Sequence, residues 1–124
     1  MKQIVVGVDD DFRVREAIES LVGSAGYTPL VFSSAEEFLQ SGTLAEVTCL
    51  ITDVRMLGMD GIELQCRARL VRPELPVIFI SAHYEDDIQQ RALDGGAVDF
   101  MHKPFDAQAL LGVIDRALNP SAND

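Results

Sequence analysis

Apolar residues gather in five short runs along the chain, at 4–8, 28–32, 48–52, 77–80 and 98–101. The runs are rich in β-branched residues and recur at intervals of roughly 20 to 30 residues, a spacing that predicts repeated βα units. Four of the five are dominated by apolar residues instead of alternating with polar ones. That is the pattern of strands covered by helices on both faces.

The segments between the runs carry helical periodicity. Val14, Ala17, Ile18, Leu21, Val22 and Ala25 fall on one stripe, and Gly26 supplies its stop. Ser34 and Glu37 form an S-x-x-E capping box ahead of Phe38 and Leu39. Gly61 opens a third helix that Pro73 ends, and Pro76 marks entry to the next strand. The fourth helix, 85–95, has only Ile88, Ala92 and Leu93 as its apolar stripe and is expected to dock most loosely. Leu110, Val113, Ile114, Ala117 and Leu118 define the last helix, with Asp106 as its N-cap. Five strand–helix pairs joined by right-handed crossovers predict one doubly wound, three-layer α/β domain around a parallel sheet.

Composition narrows the function. Of 124 residues, 48% are hydrophobic, which suits a globular domain with a single core. Twenty Asp/Glu against ten Lys/Arg leave a net charge of −10, which argues against gripping a phosphate backbone and favours a basic partner or a bound cation. No apolar stretch approaches the roughly 20 residues needed to cross a bilayer. Met1-Lys2-Gln3 leads straight into the first strand without a signal-peptide pattern, so a cytoplasmic location is expected. Cys49 and Cys66 are expected to be reduced core thiols, not a disulfide framework.

In an open α/β sheet, ligands bind beyond the carboxyl ends of the strands. Asp9, Asp10 and Asp11 follow the first run, Asp53 the third, Ser81 the fourth and Lys103 the fifth. The end of the second run, Phe32-Ser33-Ser34, is explained by helix capping, and Asp11 is likewise expected to be an N-cap. Asp53 lies between apolar neighbours, where a charge is costly unless paired. Asp9 and Asp10 are adjacent, so the chain must bend for both to reach one pocket. Converging acids repel one another, and an all-oxygen site without Cys or His suits Mg²⁺ or Mn²⁺.

The elements Val8-Asp9-Asp10-Asp11, Ile51-Thr52-Asp53-Val54-Arg55-Met56, Gly58-Met59-Asp60-Gly61, Ile78-Phe79-Ile80-Ser81-Ala82 and Asp99-Phe100-Met101-His102-Lys103-Pro104-Phe105 resemble the receiver domain of two-component response regulators. The resemblance runs from about Lys2 to Leu118, giving a receiver at 1–118 and a polar tail or linker start at 119–124. It implies a five-stranded sheet of order 2-1-3-4-5 with five helices, and phosphoryl transfer from a histidine kinase or phosphotransfer protein onto Asp53. In such a receiver, Asp10, Asp53 and the Arg55 backbone carbonyl bind Mg²⁺ directly, and Asp9 reaches it mainly through water. Lys103 and Ser81 stabilise the phosphoryl group, and Lys103-Pro104 is typically a cis peptide.

Switching by the same resemblance involves Ser81 moving toward the phosphoryl group and Phe100 turning inward, which repacks the face of the fourth helix, fifth strand and fifth helix. A phosphorylation-dependent homodimer through that face is then expected. Arg55 and His83 occupy positions that tune how long the phosphate survives, and Leu57 replaces the usual proline, suggesting a more flexible loop. The implied function is a signalling switch and not a turnover enzyme. An aspartyl-nucleophile phosphohydrolase would want a second acid where Arg55 stands, and a flavodoxin-like electron carrier would want a Ser/Thr/Gly-rich phosphate loop where three acids stand. Both a stand-alone receiver and one cut from a longer regulator fit the sequence.

Overall fold

The computed structural model describes residues 2–83 and 85–119. Strands β1 (Ile4–Val8), β2 (Thr28–Phe32), β3 (Cys49–Asp53), β4 (Val77–Ser81) and β5 (Asp99–His102) alternate with helices α1 (Phe12–Ser24), α2 (Ala35–Gln40), α3 (Gly61–Val71), α4 (Asp86–Asp94) and α5 (Ala107–Leu118). A 3₁₀ turn at Thr43–Ala45, not anticipated from the pattern, precedes β3. The sheet is parallel throughout in the order β2-β1-β3-β4-β5, as the resemblance implied.

Alternation along each buried strand explains the continuous apolar runs. Val6, Leu50 and Phe79 face one layer with Phe38 of α2, Leu64 of α3 and Ala92 of α4. Their neighbours Val5, Ile51 and Ile78 face the other, against Ile18 and Val22 of α1 and Leu110, Val113 and Ile114 of α5. Successive strand side chains point to opposite faces, so a strand with helices on both sides has no polar position to spare. β2 departs from this because it is an edge strand: its residues are only partly buried and Leu30 is exposed.

Local capping follows the sequence closely. Asp11, Ser34, Asp60 and Asp106 each accept a backbone N–H in the first turn of α1, α2, α3 and α5. The box at Ser34 is half-formed: its oxygen accepts the Glu37 N–H at 3.0 Å, but Glu37 reaches back to the Ser33 N–H at 2.8 Å. Gly26 takes φ of 91°, the left-handed conformation that ends α1. Only Ala92 of α4 is fully buried, in keeping with its thin stripe.

The ladder moves three strands toward the carboxyl ends. β3 runs one residue later than the apolar run and closes on Asp53, which pairs with Ile80. β4 continues through Ser81, paired with His102, and β5 starts at Asp99 instead of Val98. Backbone hydrogen bonding ignores side-chain polarity, so the polar residues at these ends are held in the sheet itself. Cys66 corrects a second expectation. Cys49 is buried, which pushes its thiol up to about 12, but Cys66 lies on the exposed side of α3, whose inner face is Leu64, Gln65 and Ala68. Among the described residues no helix is long and apolar enough to cross a membrane. Of the tail at 119–124, only Asn119, the α5 C-cap, lies within the described residues.

Candidate functional site

The carboxyl ends of β1, β3, β4 and β5 form one edge, and the register brings their polar residues together there. Val8 pairs with Thr52, so Asp9 and Asp53 emerge side by side. Ser81 pairs with His102, and the Lys103 N–H donates to the Ser81 carbonyl at 2.8 Å. Lys103 and Pro104 are joined by a cis peptide.

Ligand oxygens of Asp9, Asp10 and Asp53 lie within 4.8 Å of one another. The bend expected between the two adjacent acids is present. Asp9 is fully buried, its N–H donating to the Phe32 carbonyl at 3.1 Å, whereas Asp10 is exposed. The Asp9 Oδ1 accepts the Asp11 N–H at 2.9 Å. Its Oδ2 is 2.8 Å from Lys103 Nζ, an ion pair off the hydrogen-bonding direction, and among the described residues no other donor reaches it. Burial raises the Asp9 carboxyl above its ordinary range, outweighing Lys103 and the Asp11 N–H, with the Asp53 charge adding to the rise.

Asp53 is 6% exposed and is held at both oxygens. Oδ1 accepts the Val54 N–H at 2.7 Å, and Oδ2 accepts from Lys103 Nζ at 3.0 Å. Burial alone would lower the Lys103 ammonium, but the carboxylates of Asp9 and Asp53 beside it prevail and hold it above its usual value. One ammonium thus serves two buried carboxylates, with a third acid at the rim. An acidic trio with two members buried, one ammonium between them and an underused oxygen fits a hard divalent cation with oxygen ligands. Asp9, Asp10 and Asp53 are the residues that could hold it.

The other expected site residues are distributed around this centre. Ser81 is buried, and its Oγ accepts the N–H of exposed His83 at 3.0 Å. Phe100, expected to turn inward on switching, is already inward here: it is 7% exposed, stacked on Phe79 at 5.9 Å between ring centres and edge-on to His102 at 5.8 Å. Arg55 is exposed and pairs with Glu85.

Two contacts escaped the sequence reading. Arg15 of α1 donates to the Asp9 carbonyl at 2.8 Å and so fixes the acidic loop from behind. Glu36 of α2 accepts the Met59 N–H at 2.9 Å, a bond that holds its carboxyl below the usual range. That bond, with Gly58 at φ of 79° and the Gly61 N–H donating to the Val54 carbonyl at 2.8 Å, ties down the loop that carries Leu57. Arg15 and Glu36 looked like ordinary charges of a first helical turn, and nothing in their spacing marks a partner in another loop.

Comparison with known proteins places this arrangement in context. The sequence model described as response regulator receiver domain matches residues 5–115. The response regulator protein TodT of Pseudomonas putida is 42% identical over 115 residues, which cover 93% of this chain and 51% of that protein. Nodulation protein W of Bradyrhizobium diazoefficiens is 41% identical over 114 residues, covering 91% and 50% respectively. The chain therefore spans about half the length of these relatives. A receiver domain crystal structure from Clostridium thermocellum superposes with a TM-score of 0.89 at 25% identity, over 97% of both chains.

Proposed function

The chain belongs to the response regulator receiver domain family, and from that membership we propose that it is a phosphorylation-controlled switch with Asp53 as phosphoacceptor. The donor is a phosphohistidine of a histidine kinase or phosphotransfer protein. An Asp53 oxygen bonds to phosphorus as the N–P bond breaks, leaving the electron pair on the imidazole and an acyl phosphate on the chain. Asp9, Asp10, Asp53 and the Arg55 carbonyl would hold Mg²⁺, which when bound neutralises charge on the transferring group. Lys103 contributes a second positive charge, and the Ser81 hydroxyl donates a hydrogen bond to a phosphoryl oxygen. Catalysis is positioning and charge stabilisation.

The observation that carries this reading is the meeting of three carboxylates and one ammonium at the sheet's carboxyl edge, with Lys103 Nζ 3.0 Å from Asp53 Oδ2. Transmission runs through Ser81 and Phe100 to the face formed by α4, β5 and α5, and phosphorylation strengthens self-association there. His83 and Arg55 tune the lifetime of the phosphoryl group. The domain spans 1–118 in this reading, and whatever the switch controls lies outside it. Incubation with acetyl phosphate and Mg²⁺ should give a phosphoryl adduct by intact mass on the wild type and none on Asp53→Asn. An adduct on the variant at wild-type yield would remove Asp53 from the role.

A further inference from the structure

Arg55 stands two residues past Asp53 on the loop between β3 and α3, and its guanidinium pairs with Glu85 at the start of α4. The pair therefore joins the loops that follow the two pocket strands carrying Asp53 and Ser81. Glu85 occupies the N-cap position of α4 but makes no capping hydrogen bond, whereas Asp11, Asp60 and Asp106 at the corresponding positions of α1, α3 and α5 all do. Its carboxylate is directed at Arg55 instead. Both side chains are about half exposed, at 52% and 40%, so the pair is screened by salt and readily exchanged for a stronger partner.

A phosphoryl group on Asp53 is such a partner. It adds about two negative charges and offers oxygens in the geometry that a guanidinium fork recognises. We propose that Glu85 is a positioning residue that competes with the phosphoryl group for Arg55. Holding the guanidinium at α4, it weakens the pocket's grip on the anion; giving it up, it releases the N-terminus of α4. This rests on Asp53 as the phosphoacceptor. Phosphorylation then reaches α4 by a charge exchange at its first turn, in addition to any repacking around Phe100.

Beryllofluoride with Mg²⁺ is the probe, its binding followed by ¹⁹F NMR at low and moderate salt. Glu85→Gln should tighten binding about two- to fivefold at low salt, the range a partly exposed ion pair carries, and less at moderate salt. The gain should vanish when Arg55 is also changed to Gln. Asp86→Asn and Asp87→Asn, which remove the same charge from the first turn of α4 without freeing Arg55, should fall well short of it. Amide exchange at 86–89 should rise on beryllofluoride binding in the wild type and be raised beforehand in Glu85→Gln. Equal tightening in the Arg55→Gln background, or by the Asp86 or Asp87 variants, means a general field effect and overturns the inference. Unchanged affinity in Glu85→Gln overturns it alone, while a wild type that takes up no beryllofluoride overturns the phosphoacceptor reading together with it.

Discussion

Gly61 opens α3 directly against the backbone of Asp53, and a Cβ built on Gly61 would lie far inside van der Waals contact of the Asp53 carbonyl oxygen. The same Cβ would meet the Asp53 carbonyl carbon at 3.0 Å and a Phe79 ring carbon at 3.1 Å, so no side chain could swing aside to make room. The close approach lets the Gly61 N–H reach the Val54 carbonyl and closes the loop beside the pocket. Gly61→Ala should lose about 1–3 kcal/mol of stability, the usual scale for overpacking a tight site. It should also slow acetyl-phosphate labelling of Asp53, because the strand end must move. Urea denaturation and intact mass measure the two effects, and a variant within about 0.5 kcal/mol of wild type would show that the loop yields freely.

Mg²⁺ should stabilise the native protein through the acidic trio. Binding to the native state alone adds RT ln(1 + [L]/Kd), about 2.7 kcal/mol at a hundredfold excess over Kd. Asp10 is exposed, so Asp10→Asn should fold normally and lose most of the Mg²⁺-dependent rise in Tm. Relief of repulsion among the acids should raise its Tm in the absence of metal. A full Mg²⁺ response in the variant would move the metal away from these carboxylates.

Tyr27 gives a pH test remote from the pocket. Its hydroxyl donates to Asp115 Oδ1 of α5, and that hydrogen bond, with a smaller contribution from burial, pushes the phenol up to about 12. A group whose folded pKa is raised contributes stability that is complete below its unfolded value, about 10, and is lost as pH rises through the folded value. Wild type should therefore lose stability relative to Tyr27→Phe between pH 10 and 12. Ultraviolet titration should show one tyrosine ionising late, and Asp115→Asn should bring it back toward 10. Late ionisation that survives in Asp115→Asn would assign the shift to burial.

Self-association should grow on activation. Val98 and Leu93 expose apolar surface beside β5, whereas Ile88 packs against the core and is unsuited to a surface test. Sedimentation velocity should show a heavier species with beryllofluoride, favoured by moderate salt because the chain carries −10. Val98→Glu should abolish it while leaving beryllofluoride uptake intact. A mass unchanged by beryllofluoride at every salt concentration would point to a separate docking partner.

The local vocabulary of this protein lies open in its sequence. Val5 and Val6 belong to an unbroken apolar run because helices cover both faces of β1, and Asp11, Ser34 and Asp106 mark helix starts because their side-chain oxygens can accept orphan N–H groups of a first turn. Asp9, Asp53, Ser81 and Lys103 could be read as one site because each sits at the carboxyl end of a strand, and a parallel sheet gathers those ends at one edge. Tertiary structure alone decided how the acids differ: Asp9 is buried against Lys103 and Asp10 is left at the rim, although they are neighbours of one type. It also decided that Cys66 faces solvent and that Phe100 stacks on Phe79, and it gave Arg15, Glu36 and Glu85 their partners in other loops. Those contacts depend on how whole elements pack and cross, and a long charged side chain has many partners within reach until the packing removes all but one.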